Sequence, residues 1–162
     1  MKRILLVLPL AAAAVHAAEL PDVTSRGGLR IGSVLIPWNN AAAVALKGAD
    51  ATQPGEKACA FNATYEMTNL GGAATKAPFA NRLRVDGATV VATSTGLSLA
   101  AHETKSLTTS PYLPIGQHTL ELSLDDENSV AESNENNNRF RVLYELKAPC
   151  GAAAPAPSPG RR

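Results

Sequence analysis

The side chains best equipped for chemistry crowd into residues 125–138, DDENSVAESNENNN. Asp125, Asp126, Glu127, Glu132 and Glu135 supply carboxylates, and Asn128, Asn134, Asn136, Asn137 and Asn138 supply amide oxygens. These are hard oxygen donors of the kind that hold Ca²⁺. The run lacks the Asp-x-Asp/Asn-x-Asp/Asn-Gly order of an EF-hand loop. A second chemistry competes with the metal. Asp and Asn in a long turn hydrogen-bond their own backbone and tolerate left-handed conformations. Val130 would then tuck under the turn, with Glu132 or Glu135 accepting from its N–H groups. The turn is the favoured reading and no metal ligands are assigned. A Ca²⁺ site would reveal itself as a melting temperature raised by millimolar Ca²⁺ and restored by a chelator.

Catalysis has little to work with. Beyond the leader the only histidines are His102 and His118. His118 falls on an inward-facing series, where a core or rim histidine is the usual explanation, and His102 sits in a loop beside Glu103. There is no Gly-x-Ser-x-Gly elbow, zinc-type His/Glu cluster or phosphate loop. No catalytic residue and no cofactor are assigned, and the chain is read as a non-enzyme. Sugar stacking would need exposed aromatics, yet aromatics make up 4% of the chain. Phe61, Tyr65, Phe79, Phe140 and Tyr144 all fall on inward positions, leaving Trp38 and Tyr112 at strand ends.

The compartment is legible at the start. Residues 1–18, MKRILLVLPLAAAAVHAA, combine a basic beginning at Lys2 and Arg3, an apolar run and the small-residue site Val15-His16-Ala17. That is the pattern of a cleaved secretory signal, too short to span a bilayer. Removing it takes Lys2 and Arg3 away and moves the formal net charge from +1 to −1. A near-neutral chain offers no electrostatic footprint for nucleic acid. Two cysteines remain, Cys59 and Cys150, and an oxidising compartment favours their pairing.

The elements that must position these groups alternate with a period of two, the signature of half-buried strands. Residues 19–28 read as a flexible lead-in, and residues 29–36, LRIGSVLI, as a first strand that Pro37 stops. Residues 41–46 could form a helical turn or a short strand, and residues 47–57 a loop. Cys59, Phe61, Ala63, Tyr65 and Met67 define an inward face. Phe79, Leu83 and Val85 define the next, opposite Arg82 and Arg84, with Asn81 as a polar exception. Asp86-Gly87 predicts a tight hairpin, so residues 89–95 should return antiparallel. A short strand around Leu107 follows, then a loop over residues 110–116. His118, Leu120, Leu122 and Leu124, then Phe140, Val142, Tyr144 and Leu146, flank the acidic run. Residues 151–162, GAAAPAPSPGRR, read as a disordered Pro/Ala tail.

About seven short strands without a convincing helix predict an all-β, immunoglobulin-like antiparallel sandwich over residues 29–150. In such an arrangement successive strands run up and down alternately. Cys59, starting the second strand, and Cys150, ending the seventh, then share one end of the sandwich. The acidic run lies at the other, beside the turn at residues 69–72.

The series LSLDDENSVAESNENNNRFRV resembles the closing hairpin of the CARDB domain, a cell-adhesion-related domain of bacterial secreted and surface proteins. Asp125, Asn128, Val130, Glu132, Asn134, Glu135, Asn137 and Asn138 fall on the positions of that motif without a gap. Residues 61–71, ending in Asn69-Leu70-Gly71, resemble a CARDB strand, and residues 114–120, PIGQHTL, its Gly-x-His entry. The resemblance covers roughly residues 56–146; the segment over residues 36–57 is longer and more Ala-rich than the family's. It implies an immunoglobulin-like sandwich with a binding or scaffold role and no common chemistry. The expectation is a secreted or periplasmic module that meets a protein or glycan at the bacterial cell envelope, through end loops or by strand addition at a sheet edge. A calcium-binding module and an accessory domain working with a secreted enzyme are the alternatives.

Overall fold

A computed structural model describes residues 19–151, so the predicted leader at 1–18 and nearly all of the predicted tail lie outside the described residues. Twelve strands in two main sheets and one short ribbon account for the fold, with no α-helix among the described residues. They are β1 (Val23–Thr24), β2 (Gly28–Ile31), β3 (Val34–Pro37), β4 (Val44–Ala45), β5 (Ala58–Ala60), β6 (Ala63–Asn69), β7 (Phe79–Val85), β8 (Thr89–Leu97), β9 (Thr104–Thr109), β10 (Tyr112–Pro114), β11 (Gly116–Ser123) and β12 (Arg139–Leu146).

One sheet runs β1-β6-β2-β3, with β9 on the opposite edge of β6; the other runs β4-β12-β11-β7-β8. The predicted inward series meet between them. Phe61, Tyr65 and Met67 from one side and Leu83, Leu120, Leu122, Val142 and Tyr144 from the other are almost fully buried. Burying each such side chain is worth about 1.5–3 kcal/mol, which makes the alternating pattern decisive for register. A one-residue slip would turn an entire face outward.

Four expectations change, and one that was open between a helical turn and a short strand resolves to the strand. The lead-in is not loose. Val23 and Thr24 pair with Asn69 and Thr68 and are buried, because β6 offers a free edge beyond the end of β2 and Val23 fills the core below it. Residues 29–36 form a hairpin rather than one strand, turning at Gly32-Ser33. Gly32 has φ +56°, a left-handed conformation that glycine adopts without strain, and Asp50 accepts from the Ser33 N–H at 2.7 Å. The Cys59 strand breaks at Phe61-Asn62, and the loop over residues 110–116 contains β10, which pairs with β5. Pro111 has no N–H to donate, so the β6·β9 ladder is interrupted there and resumes as the β5·β10 ribbon. Finally, the undecided segment at 41–46 holds β4, which pairs parallel to β12 and gives an otherwise antiparallel sandwich one parallel edge.

The two ends are as the strand count implied. Cys59 and Cys150 form a disulfide, with Cα atoms 6.5 Å apart, where β5 begins and β12 has ended. At the opposite end residues 124–138 connect β11 to β12, beside Asn69.

Candidate functional site

The acidic run is a loop whose polar groups are turned on its own backbone and its neighbours. Asp125, with φ +42°, is buried; its Oδ1 accepts from the Ser129 N–H at 2.9 Å and its Oδ2 from the Val130 N–H at 2.8 Å. Asn128, with φ +53°, donates its N–H to the Asp125 carbonyl at 2.8 Å and closes the turn. Those bonds drive Val130 downward, where it joins the core. The Asp125 N–H donates to Asn81 Oδ1 at 3.3 Å, while Asn81 Nδ2 donates to the Tyr65 hydroxyl at 3.1 Å. The polar exception on β7 is thus the joint between loop and core.

Glu132 performs the second task. It is buried, accepting from the Val23 N–H and, at 2.9 Å, from Asn138 Nδ2. Burial pushes its carboxyl up to about 7, against the opposing effect of those two bonds and helped by the charges of Glu135 and Asp125. Glu135 accepts from the Glu132 N–H at 2.8 Å, and Asn134 Oδ1 accepts from the Asn136 N–H at 3.2 Å. Asn137 Nδ2 donates to Asp22 Oδ1 at 2.7 Å, and the Asn137 carbonyl accepts from the Thr24 hydroxyl. The loop therefore clasps β1, the strand that sequence patterning missed because two residues are too few to show a period. Asn69, fully buried, completes the joint. Its side chain accepts from the Asp22 and Gly71 N–H groups and donates to the Ala73 and Ala100 carbonyls.

Outside this loop core, Asp126 leans over the outward face of β7. It takes two bonds from Arg84, at 2.6 and 2.7 Å, and one from Arg82, at 2.5 Å. The Arg84 and Arg82 guanidiniums hold its carboxyl down at about 2, despite its burial. Arg82 also meets Glu127 at 2.6 Å. This clamp joins residues more than 40 positions apart, and the only hint of it in sequence was two outward arginines at i, i+2.

Asn137 Oδ1 and Asn138 Oδ1 are buried with no hydrogen-bond partner. Among the described residues no group of three or more His, Cys, Asp or Glu side chains is placed to hold a metal ion. The other candidates lie apart from the loop. His118 Nδ1 pairs with Asp86 Oδ2 at 2.8 Å near the disulfide end. His102 is exposed with φ +60° in the turn before β9. Trp38 packs on Phe140, ring centroids 5.2 Å apart, with its indole N–H on the Ser25 hydroxyl. Tyr112 is exposed and bonds Gln53. No helix among the described residues is long and apolar enough to cross a membrane.

Comparison with known proteins bears on the whole arrangement. The CARDB family profile matches residues 47–142. Among solved structures, the crystal structure of the CARDB domain of a Pyrococcus furiosus protein, in complex with di-metal ions, has a TM-score of 0.56 at 22% identity, covering 82% of this chain and 98% of that one. The solution structure of that domain has a TM-score of 0.56 at 24% identity, covering 80% of this chain and 98% of that one. A domain of a Methanosarcina acetivorans protein described as a cell surface protein has a TM-score of 0.50 at 23% identity, covering 80% and 94%. At these identities the likeness carries the fold. No curated protein matches the chain.

Proposed function

The chain belongs to the CARDB family, and on that premise we propose that it is a non-catalytic binding or structural module, exported to the periplasm or beyond, that meets a protein or glycan at the cell envelope. One observation carries the reading. The chain's richest set of functional groups is engaged within the chain: Asp125 on the Ser129 and Val130 backbone, Glu132 on that of Val23, Glu135 on that of Glu132, and Asp126 on two arginine side chains. What remains for function is surface. The test uses the full chain immobilised against envelope fractions, alongside turnover assays on glycoside, ester and peptide substrates. A specifically retained protein or polysaccharide without turnover is expected. Turnover with nothing retained would overturn the module. Retention of a secreted hydrolase would point to the accessory role instead.

A second reading has two observations in its favour. The Pyrococcus furiosus domain is in complex with di-metal ions, and in this chain Asn137 Oδ1 and Asn138 Oδ1 are buried without a partner, on side chains whose amide nitrogens donate to Asp22 and Glu132. A cation recruiting Asp125 or Glu132 would have to compete with the N–H donors that now occupy their oxygens. Millimolar Ca²⁺ is therefore expected to leave the melting temperature unchanged. A clear rise, reversed by chelator, would carry the calcium module instead.

A further inference from the structure

The outward face of the second sheet carries arginine twice over. Pairing places Arg82, Ser123 and Arg139 in one row across β7, β11 and β12, and Arg84, Glu121 and Arg141 in the next. In the row between them Leu83 and Leu122 are in the core and Phe140 packs against it, so the members of both rows point outward. The two strands that flank β11, β7 and β12, thus each present a pair of guanidiniums at i, i+2, roughly 7 Å apart along the strand, and the two pairs lie roughly 10 Å apart across the sheet.

The first pair shows what this geometry does. Arg82 and Arg84 converge on a single carboxylate, Asp126, supplied by the chain's own loop. The second pair repeats the spacing on the same face, but among the described residues no carboxylate lies within 4.0 Å of Arg139 or Arg141. Both are exposed. A cleft of about 210 Å³ lies between them, bordered by Asn39, Glu121 and Ser123. It adjoins a larger one of about 410 Å³ that shares Ser123 and Arg139 and is walled by Asp126, Asn128, Glu135 and Asn136.

We propose that Arg139 and Arg141 form a carboxylate-binding site for a uronic-acid-containing glycan. The proposal rests on the binding-module reading above and names the class of ligand. Arginine's planar fork suits a carboxylate and grips it more specifically than a point charge does. The neighbouring wall decides between the two carriers of carboxylate. An acidic polypeptide would press like charges against Glu121 and Glu135, which border the two clefts, with no hydroxyls to offer their oxygens in return. A uronic acid residue presents its carboxylate on one side and hydroxyls on the others. Its hydroxyls would donate to the acceptors of Glu121, Glu135 and the asparagines. Such recognition needs no aromatic platform.

The test is calorimetric titration of the full chain with trigalacturonic acid, with maltotriose as the neutral control and a short poly-glutamate peptide as the acidic one. Salt-sensitive binding of trigalacturonic acid alone is expected. Arg139→Ala/Arg141→Ala should weaken it at least about tenfold, as the loss of charge-assisted hydrogen bonds implies, with the melting temperature unchanged. Arg139→Lys/Arg141→Lys keeps the charge and should lose less affinity, which keeps the proposal testable if the alanine variant folds poorly. No binding of trigalacturonic acid, or binding unmoved by either variant, overturns the site. Equal or tighter binding of poly-glutamate makes the occupant an acidic protein segment and overturns the glycan. An envelope partner retained equally by wild type and double variant would leave the module reading standing while this site falls.

Discussion

Replacing Cys59 and Cys150 together by Ala is expected to destabilise the protein by about 4 kcal/mol, within the 2–5 kcal/mol usual for a native bridge. The bridge spans a sequence separation of 91 and closes a loop that holds every strand from β6 to β12. In the unfolded chain it therefore removes a large share of the conformational freedom that folding must overcome, and the effect grows with the logarithm of loop length. The native state pays little for it, since the Cα separation of 6.5 Å is within normal disulfide reach. Both cysteines are buried members of the core, so the alanine variant also loses some packing. Urea titration followed by fluorescence of the single tryptophan, Trp38, would read the change. At a slope of about 2 kcal/mol/M the midpoint should fall by roughly 2 M. An unchanged midpoint would mean that the unfolded chain is already held compact by something else.

The second large effect is a loss of stability on raising the pH, and it comes from Glu132. Its folded value of about 7 lies above its ordinary 4.5, so the folded protein binds this proton more tightly than the unfolded chain does. The resulting stabilisation is fully present below pH 4.5 and is lost as pH rises through 7. It amounts to as much as about 3 kcal/mol between these limits. Ionisation leaves a buried charge facing Glu135 and Asp125, with only the Val23 N–H and Asn138 Nδ2 to stabilise it. Glu132→Gln should remove the slope. A neutral amide can accept from Val23 and, if the Asn138 amide turns over, donate to its now partnerless Oδ1. Asp126 acts in the opposite sense. Its folded value of about 2 lies below its ordinary 3.8, so its contribution is present above pH 3.8 and lost as pH falls through 2. Denaturation midpoints from pH 3 to 9 should accordingly fall off at both ends in the wild type, and only on the acid side in Glu132→Gln. A variant that keeps the wild-type alkaline slope would move its origin to another group.

The loop shows how far patterning reaches. That Asp125 and its neighbours would cap their own turn and sink Val130 followed from the short reach of Asp and Asn side chains, which makes their favoured partners local ones. The partners of Glu132, Asn137 and Asp126 could not be read the same way. Val23, Asp22, Arg82 and Arg84 are between 42 and 115 residues away in sequence, and no periodicity reports on a contact at that range. The strands β6, β7, β11 and β12 were legible because each buries one face over seven or eight residues. β1, β4 and β10, with two or three residues each, are held by backbone bonds to an edge already in place. Nothing in their own composition requires them.

By itself, then, the sequence determined the all-β class, the inward faces of β6, β7, β11 and β12, the pairing of its two cysteines and the turn-forming character of residues 125–138. All of these depend on local period, local side-chain chemistry or a choice of one partner from one. Only the tertiary structure decided that the lead-in is a buried strand latched by Glu132, that the first strand folds back at Gly32, and that four arginines share one face. Those outcomes depend on which edges and faces the two sheets leave open once packed, which is a property of the assembled sandwich and of no segment within it.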